Sequence, residues 1–165
     1  MLRRGFRIAT AISAHNEHDY IQYCLRSIYD FADLVIVSVN TGVPWGGEPE
    51  ELDDTVDLVR SFPDPGGKLR LVLGEWRDEM QERVGNLEIA KGEAEYFMTV
   101  DADEIYRSTD LARLRDYISW RPWVGQFRLR LNTYWKTRPF HIIDPPEPLK
   151  AYVISRLRSN TSYLT

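Results

Sequence analysis

Tyr96-Phe97-Met98-Thr99-Val100-Asp101-Ala102-Asp103-Glu104 sets an apolar run directly before three carboxylates crowded into four residues. A run rich in β-branched and aromatic side chains and ended by a polar cluster reads as a buried strand over 96–100. Carboxylates released together at its C-terminal end repel one another unless something positive lies between them. A divalent cation that also holds a phosphate meets that need, because hard Mg²⁺ or Mn²⁺ takes oxygen ligands and bridges to phosphate oxygens. The plainer alternative is a solvated acidic turn capping the next helix.

Upstream of this junction, strand-like and helix-like segments alternate. Residues 7–14 (RIATAISA) read as a first strand, and Asn16 is placed to cap the following helix, with Asp19 at the capping-box position. Ile21, Leu25, Ile28 and Tyr29 recur at helical spacing. Residues 34–39 (LVIVSV) are apolar on both faces, as in a covered parallel sheet. A Gly/Pro loop, Thr41-Gly42-Val43-Pro44-Trp45-Gly46-Gly47, precedes a second helix marked by Leu52, Val56 and Val59. Pro63, Pro65, Gly66 and Gly67 break that helix. Residues 69–73 form a third strand, and Met80, Val84 and Leu87 mark the buried face of a third helix. The series βαβαβαβ, closing on the strand over 96–100, implies an α/β fold whose parallel sheet has right-handed crossovers.

Downstream the pattern changes. Leu111, Leu114 and Ile118 predict a short helix after Thr109 or Asp110. Phe127, Leu129 and Leu131 alternate with Arg128, Arg130 and Asn132, a half-buried strand. Residues 139–148 are proline-rich, and Tyr152-Val153-Ile154 begins a last strand, whose exposed edge is a candidate for pairing with another copy.

In open α/β sheets ligands bind beyond the carboxyl ends of the strands. Three polar clusters fall there: Ser13, Ala14, His15, Asn16 and Glu17; then Asn40, Thr41 and Gly42; then Asp101, Asp103 and Glu104. Parallel strands open all three on one edge, which favours a nucleotide and metal site over incidental polar loops.

Ala14-His15-Asn16-Glu17 with the helix and 32–37 (ADLVIV) that follow, Asn86-Leu87-Glu88-Ile89-Ala90, Glu95-Tyr96 and Val100-Asp101-Ala102-Asp103-Glu104 together resemble family 2 glycosyltransferases of the GT-A fold, in a branch with a DADE motif. The likeness covers roughly 8–106. It implies a metal-dependent hexosyl transfer, with inversion, from a UDP- or GDP-sugar to a glycan, lipid-linked or small-molecule acceptor. Asp103 would coordinate Mn²⁺ or Mg²⁺ on the donor diphosphate. Asp101 would contact the ribose or reach the metal through water, with Glu104 behind them. Ala14 and Glu17 would lie along the base and ribose. Asn40 stands where the family commonly has an Asp; its oxygen still accepts a hydrogen bond but adds no charge. Arg83 is a candidate cation for base or diphosphate, although the family's basic residue directly precedes the Asn, where this chain has Gly85; the alternative for Arg83 is a solvated helix face. Trp45 is a candidate cover for the base.

An inverting transfer also needs a carboxylate base for the acceptor hydroxyl. After Asp116 the only carboxylates are Asp144 and Glu147. Asp144 is taken as the candidate base, against an exposed loop carboxylate. Trp135, Arg138 and His141 are the candidate acceptor-side residues, since aromatic faces stack on sugar rings. Core positions are the expectation for most of the other aromatics, including Trp120 and Trp123. The chain reads as one domain over 1–165, with a nucleotide-sugar half at 7–106 and a partial acceptor half at 107–165, either a fragment or a short enzyme. Two other readings stand beside this one. One is a nucleotide-binding GT-A-like module without turnover. The other is a haloacid dehalogenase-type phosphatase, which also uses Asp-x-Asp after a strand, but normally the first strand.

Composition narrows the class. The net charge of −4 argues against general nucleic-acid binding. No apolar run reaches the ~18–20 residues of a membrane span. The basic start, Met1-Leu2-Arg3-Arg4, lacks a signal-peptide pattern and offers at most weak contact with anionic lipid. The single cysteine, Cys24, falls on an apolar helix face and fits a reducing, cytoplasmic setting.

Overall fold

The computed structural model describes residues 5–43, 47–130, 151–158 and 161. Six strands form one sheet: β1 (Ile8–Ala14), β2 (Leu34–Asn40), β3 (Leu69–Gly74), β4 (Tyr96–Asp101), β5 (Gln126–Arg130) and β6 (Ala151–Arg156), in the order β3-β2-β1-β4-β6-β5. The first four are mutually parallel. β6 runs antiparallel against β4 and β5 against β6. Among the described residues the last strand therefore lies inside the sheet, and the edges are β3 and β5, contrary to the expected exposed final strand.

The helices are α1 (Ile21–Ile28), α2 (Thr55–Arg60), α3 (Glu79–Ala90) and α4 (Ser108–Trp120). Strand side chains alternate between faces, so each strand feeds two cores. Ile8 and Ile12 of β1 pack with Cys24, Leu25 and Ile28 of α1, Val59 of α2, and Leu111 and Ile118 of α4. Ala9 and Ala11, on the opposite face, pack with Leu34, Ile36, Phe97 and with Leu87 and Ala90 of α3. Three helices thus cover one face and α3 the other. At ~25 cal/mol per Å² of apolar area, each fully buried Ile or Leu contributes about 2 kcal/mol.

Three helix starts differ from the sequence reading: α4 already begins at Ser108, ahead of Thr109 and Asp110, and runs 13 residues rather than forming a short helix. Asn16 does not cap α1: its φ of 51° turns the chain out of β1, and the helix begins at Ile21 behind Tyr20, which makes no side-chain cap bond. Asn tolerates this left-handed conformation better than most residues. The turn between is closed by the Tyr20 and Ile21 amides donating to the Glu17 carbonyl at 3.1 and 3.0 Å. Leu52 lies before α2 and is exposed.

The largest correction concerns α3. Met80 and Val84 are exposed, whereas Glu82, Asn86, Leu87 and Ala90 are buried. The sheet beneath explains the reversal. Along the α3 face, β1 reads Ala9, Ala11, Ser13; β2 reads Leu34, Ile36, Ser38, Asn40; β4 reads Phe97, Thr99, Asp101. The face turns from apolar to polar toward the strands' C-terminal ends, so the first turns of α3 meet it with polar groups. Trp120 and Trp123 also depart from expectation: they are 62% and 71% exposed. Both sit at the end of α4, away from the carboxyl edge of β4. Among the described residues, no helix is long and apolar enough to cross a membrane.

Candidate functional site

Strand order reverses direction between β1 and β4: β1 continues to β2 on one side, and the chain returns through α3 to β4 on the other. Open parallel sheets place their ligand crevice at such a point. Ser13 of β1 is in register there with both Ser38 of β2 and Asp101 of β4. Ser38, Ser13 and Asp101 form a polar row across three strands.

Beyond β4 the chain makes a tight turn, with the Glu104 amide donating to the Asp101 carbonyl at 3.0 Å. Ala102 is buried in the main core and anchors the turn, while Asp103 is exposed. Glu104 holds the turn from behind. Its Oε2 accepts from the Asp101 amide at 3.3 Å and from the Tyr106 hydroxyl at 2.7 Å. Tyr106 is tied to α1 by its amide, which donates to Ser27 Oγ at 3.1 Å.

Arg83 reaches the same place from α3. Its Nη2 donates to Asp101 Oδ1 at 3.0 Å, and it also pairs with Glu79 one turn earlier. This is not a solvated helix face: the Arg83 side chain is 23% exposed and points at the carboxylate cluster.

The β1 loop supplies the other wall. Glu17 is half-buried, and its carboxyl is pushed up to about 7, first by burial, then by the charges of Asp103, Asp53 and Asp101, with His15 opposing. The Cys24 thiol beneath, whose Sγ lies 3.7 Å from the Asp101 carbonyl oxygen, is also pushed well up, by burial and by Glu104, Asp103, Asp101 and Glu17. Burial is the larger cause in both, and the added effect of the acids shows that Glu17, Asp101 and Asp103 lie within electrostatic reach of one another. Ala14, at the end of β1, is buried beneath this wall.

A second set of acids fixes the loop before α2 against the β1 loop. Asn16 Oδ1 accepts from the Asp53 amide at 3.0 Å, and Asn16 Nδ2 donates to the Glu51 carbonyl at 3.0 Å. The Glu17 amide donates to Thr55 Oγ1 at 2.7 Å, and the His18 ring pairs with Asp54. His15 bridges Glu50, 2.9 Å from Nε2, and the Asn40 carbonyl, 2.8 Å from Nδ1. Beside these contacts lies an open depression of about 240 Å³, lined by Asn16, Asp53, Thr55 and Arg60 among others.

Asn40 is only 1% exposed, and its amide shapes its own loop: Nδ2 donates to the Val43 carbonyl at 3.2 Å and Oδ1 accepts from the Gly42 amide at 3.0 Å. The structure thus brings Asp101, Asp103, Glu17 and Arg83 to one edge with Ala14, and sets Asn40 beneath the neighbouring loop. Asp144, Trp135, Arg138, His141, Glu147 and Trp45 lie outside the described residues, as does the basic start at 1–4. Sequence reasoning missed Asp53 and Glu82, whose parts in the site follow from tertiary neighbours; it placed His15 in the polar cluster after β1 but gave it no role.

Among the described residues, no three acidic, imidazole or thiolate side chains form a ready-made metal cage. The donor set nonetheless fits a hard cation. Asp101 and Asp103 carry oxygen ligands, and the raised Glu17 records a charge density that a cation would relieve. Ligands beyond these two carboxylates would come from phosphate oxygens and water, the usual manner of Mg²⁺ binding.

No family profile and no curated protein matches the chain. Solved structures do. Glucosyl-3-phosphoglycerate synthase from Mycobacterium tuberculosis, in complex with Mn²⁺, UDP and glucosyl-3-phosphoglycerate, superposes with a TM-score of 0.61 at 14% identity, over 92% of this chain and 57% of that one. S. aureus TarS 1-349 in complex with UDP gives 0.52 at 19% identity, over 70% and 33%. 4-diphosphocytidyl-2C-methyl-D-erythritol synthase from Anaerococcus prevotii gives 0.55 at 14% identity, over 93% and 72%. The chain thus spans a third of the TarS structure's length. At these identities the likeness establishes the fold: a mostly parallel, Rossmann-like sheet with flanking helices, as in GT-A proteins.

Proposed function

We propose that this chain is the donor-binding part of a glycosyltransferase that uses a nucleoside diphosphate-sugar, UDP- or GDP-linked, and a divalent metal. The observation that carries the reading is the convergence of Asp101, Asp103, Glu17 and Arg83 at the switch point between β1 and β4. Sugar transfer from such a donor passes through an oxocarbenium-like transition state, with negative charge growing on the departing diphosphate. A bound Mn²⁺ or Mg²⁺ would supply Lewis-acid stabilisation of that charge. Asp103, exposed on its turn, and Asp101 would hold the metal. Arg83 orients the Asp101 carboxylate and adds a positive charge beside the leaving group. Glu17 and Ala14 would line the nucleoside. Glucosyl-3-phosphoglycerate synthase, which shares the fold, is seen with Mn²⁺ and UDP. This supports a divalent metal and a nucleotide as ligands of this fold here.

On the acceptor side, Asp144 remains the proposed base and Trp135, Arg138 and His141 the proposed sugar contacts, in an inverting transfer to a glycan, lipid-linked or small-molecule acceptor. Titration of the chain with UDP and GDP, with and without Mn²⁺, tests the donor site. Metal-dependent binding that Asp103→Ala abolishes supports it, and unchanged affinity in that variant refutes the metal assignment.

A second reading is a nucleotide-binding GT-A-like module without turnover. Release of UDP or GDP from a matching nucleotide-sugar by the purified chain would refute that second reading. The haloacid dehalogenase reading loses support, because Asp101 ends β4 whereas the first strand ends at Ala14.

A further inference from the structure

Glu82 is fully buried, 0% exposed, on the sheet-facing side of α3. A carboxyl in that setting is costly unless it is paired or neutral. Its Oε1 meets the Ser38 hydroxyl, which also accepts from Asn86 Nδ2 at 2.8 Å and lies 3.2 Å from the Ile12 carbonyl. Ser38 therefore links α3 to β2 through two side chains of the helix.

The remaining atoms point the same way. Ser13 Oγ, Glu82 Oε2 and Arg83 Nε are buried and make no hydrogen bond of normal geometry among the described residues, while Ser13 still faces the Glu82 carboxyl closely enough for its hydroxyl to act on it. Ser13 and Arg83 both stand close enough to Glu82 to favour its charged form. Across the sheet, Ser38, Ser13 and Asp101 are consecutive neighbours in register. Over that row, consecutive residues of α3 face consecutive positions: Glu82 sits on Ser38 and beside Ser13, and Arg83 meets Asp101. A leucine at 82 would cover the two serines without orienting the helix over them.

We propose that Glu82 is a positioning residue of the donor site: seated on Ser38 and facing Ser13, its buried carboxyl sets the first turns of α3 so that Arg83 meets Asp101. The link to nucleotide binding rests on the donor-site reading above; the link from Glu82 to Arg83 stands without it.

The test uses the whole chain labelled with ¹⁵N and follows, without ligand, the signal of the Arg83 Nη2–H group that donates to Asp101. In the wild type and in Glu82→Gln, which keeps an acceptor for Ser38, that signal is expected to be dispersed and slow to exchange. In Glu82→Ala and in the volume-matched Glu82→Leu it is expected to move to the position of a solvated arginine, with the rest of the spectrum retained. Glu82→Leu covers the case in which the alanine variant unfolds. The same two variants should weaken Mn²⁺-dependent UDP or GDP binding on the order of tenfold, Glu82→Gln should restore it, and Arg83→Ala should leave no further loss for Glu82→Leu to cause. An unchanged Arg83 signal in Glu82→Leu overturns the proposal, as does full additivity with Arg83→Ala. Absence of nucleotide binding in the wild type would instead refute the donor-site reading, while the Arg83 signal still decides the role of Glu82.

Discussion

Arg83 Nη2 lies 3.0 Å from Asp101 Oδ1, joining the helix on one face of the sheet to the last residue of β4. The pair fixes which way one carboxylate of the Asp101-Ala102-Asp103 turn faces. It leaves Asp103 exposed on the same turn.

Asp103→Ala is expected to lower UDP or GDP affinity by about 10- to 100-fold in the presence of Mn²⁺, the scale seen when a metal site is disturbed. With the metal removed by a chelator, wild type and variant should bind equally weakly. Calorimetric titration under both conditions checks this.

Glu17 predicts proton release on metal binding. Its carboxyl sits at about 7 from burial and from Asp103, Asp53 and Asp101. A cation set among those acids favours the charged form and lowers that value. Near pH 7 the binding of Mn²⁺ with UDP should expel up to about half a proton. Calorimetry in buffers of differing ionisation enthalpy measures it, and Glu17→Gln should remove it.

Glu82 predicts a pH dependence of stability opposite to that of a salt-bridged acid. Burial raises its folded value from 4.5 to about 7, against the pull of Ser38 and Arg83. The folded state therefore holds the proton more tightly than the unfolded chain. The contribution is fully present below about 4.5 and is lost as pH rises through about 7, at most ~3 kcal/mol. Urea unfolding at pH 5 and pH 8 should show Glu82→Gln losing less stability over that interval than the wild type.

At the far end of β3 space is tight. A Cβ on Gly74 would stand 2.7 Å from Trp76 Cζ2. Gly74→Ala is expected to cost about 1–3 kcal/mol by forcing the indole aside. Thermal unfolding gives the cost, and Trp76→Leu in the same chain should recover part of it.

The strands were legible because Leu34-Val35-Ile36-Val37 and Tyr96-Phe97-Met98 are apolar on both faces, a pattern that few structures other than a covered sheet satisfy. The position of the carboxylate cluster was legible because the apolar run 96–100 ends abruptly in three acids, which marks the end of a strand. The face of α3 was not. Met80, Val84 and Leu87 fit helical spacing, but the sheet beneath is polar at that end, so Glu82 and Asn86 face inward instead. Hydrophobic periodicity finds the buried side only where the partner surface is apolar. The row of Ser38, Ser13 and Asp101 depends on inter-strand register, which no local window contains. Asn16 was mistaken for a cap because the same side chain suits caps and left-handed turns alike.

The position of β6 bears on the order in which the protein can be made. β4 carries the Asp101-Ala102-Asp103-Glu104 cluster at its end, and its outer neighbour arrives only with residues 151–156, which pair with Tyr96, Phe97 and Met98. A nascent chain that has released β1 to β4 and the turn through Glu104 holds every carboxylate of the proposed donor edge, yet leaves the side of β4 away from β1 open to any passing chain. Completion of the sheet waits some fifty residues of synthesis, several seconds at ~5–20 residues per second. During that interval the part of the molecule that would grip the nucleotide is also the part most exposed to mispairing.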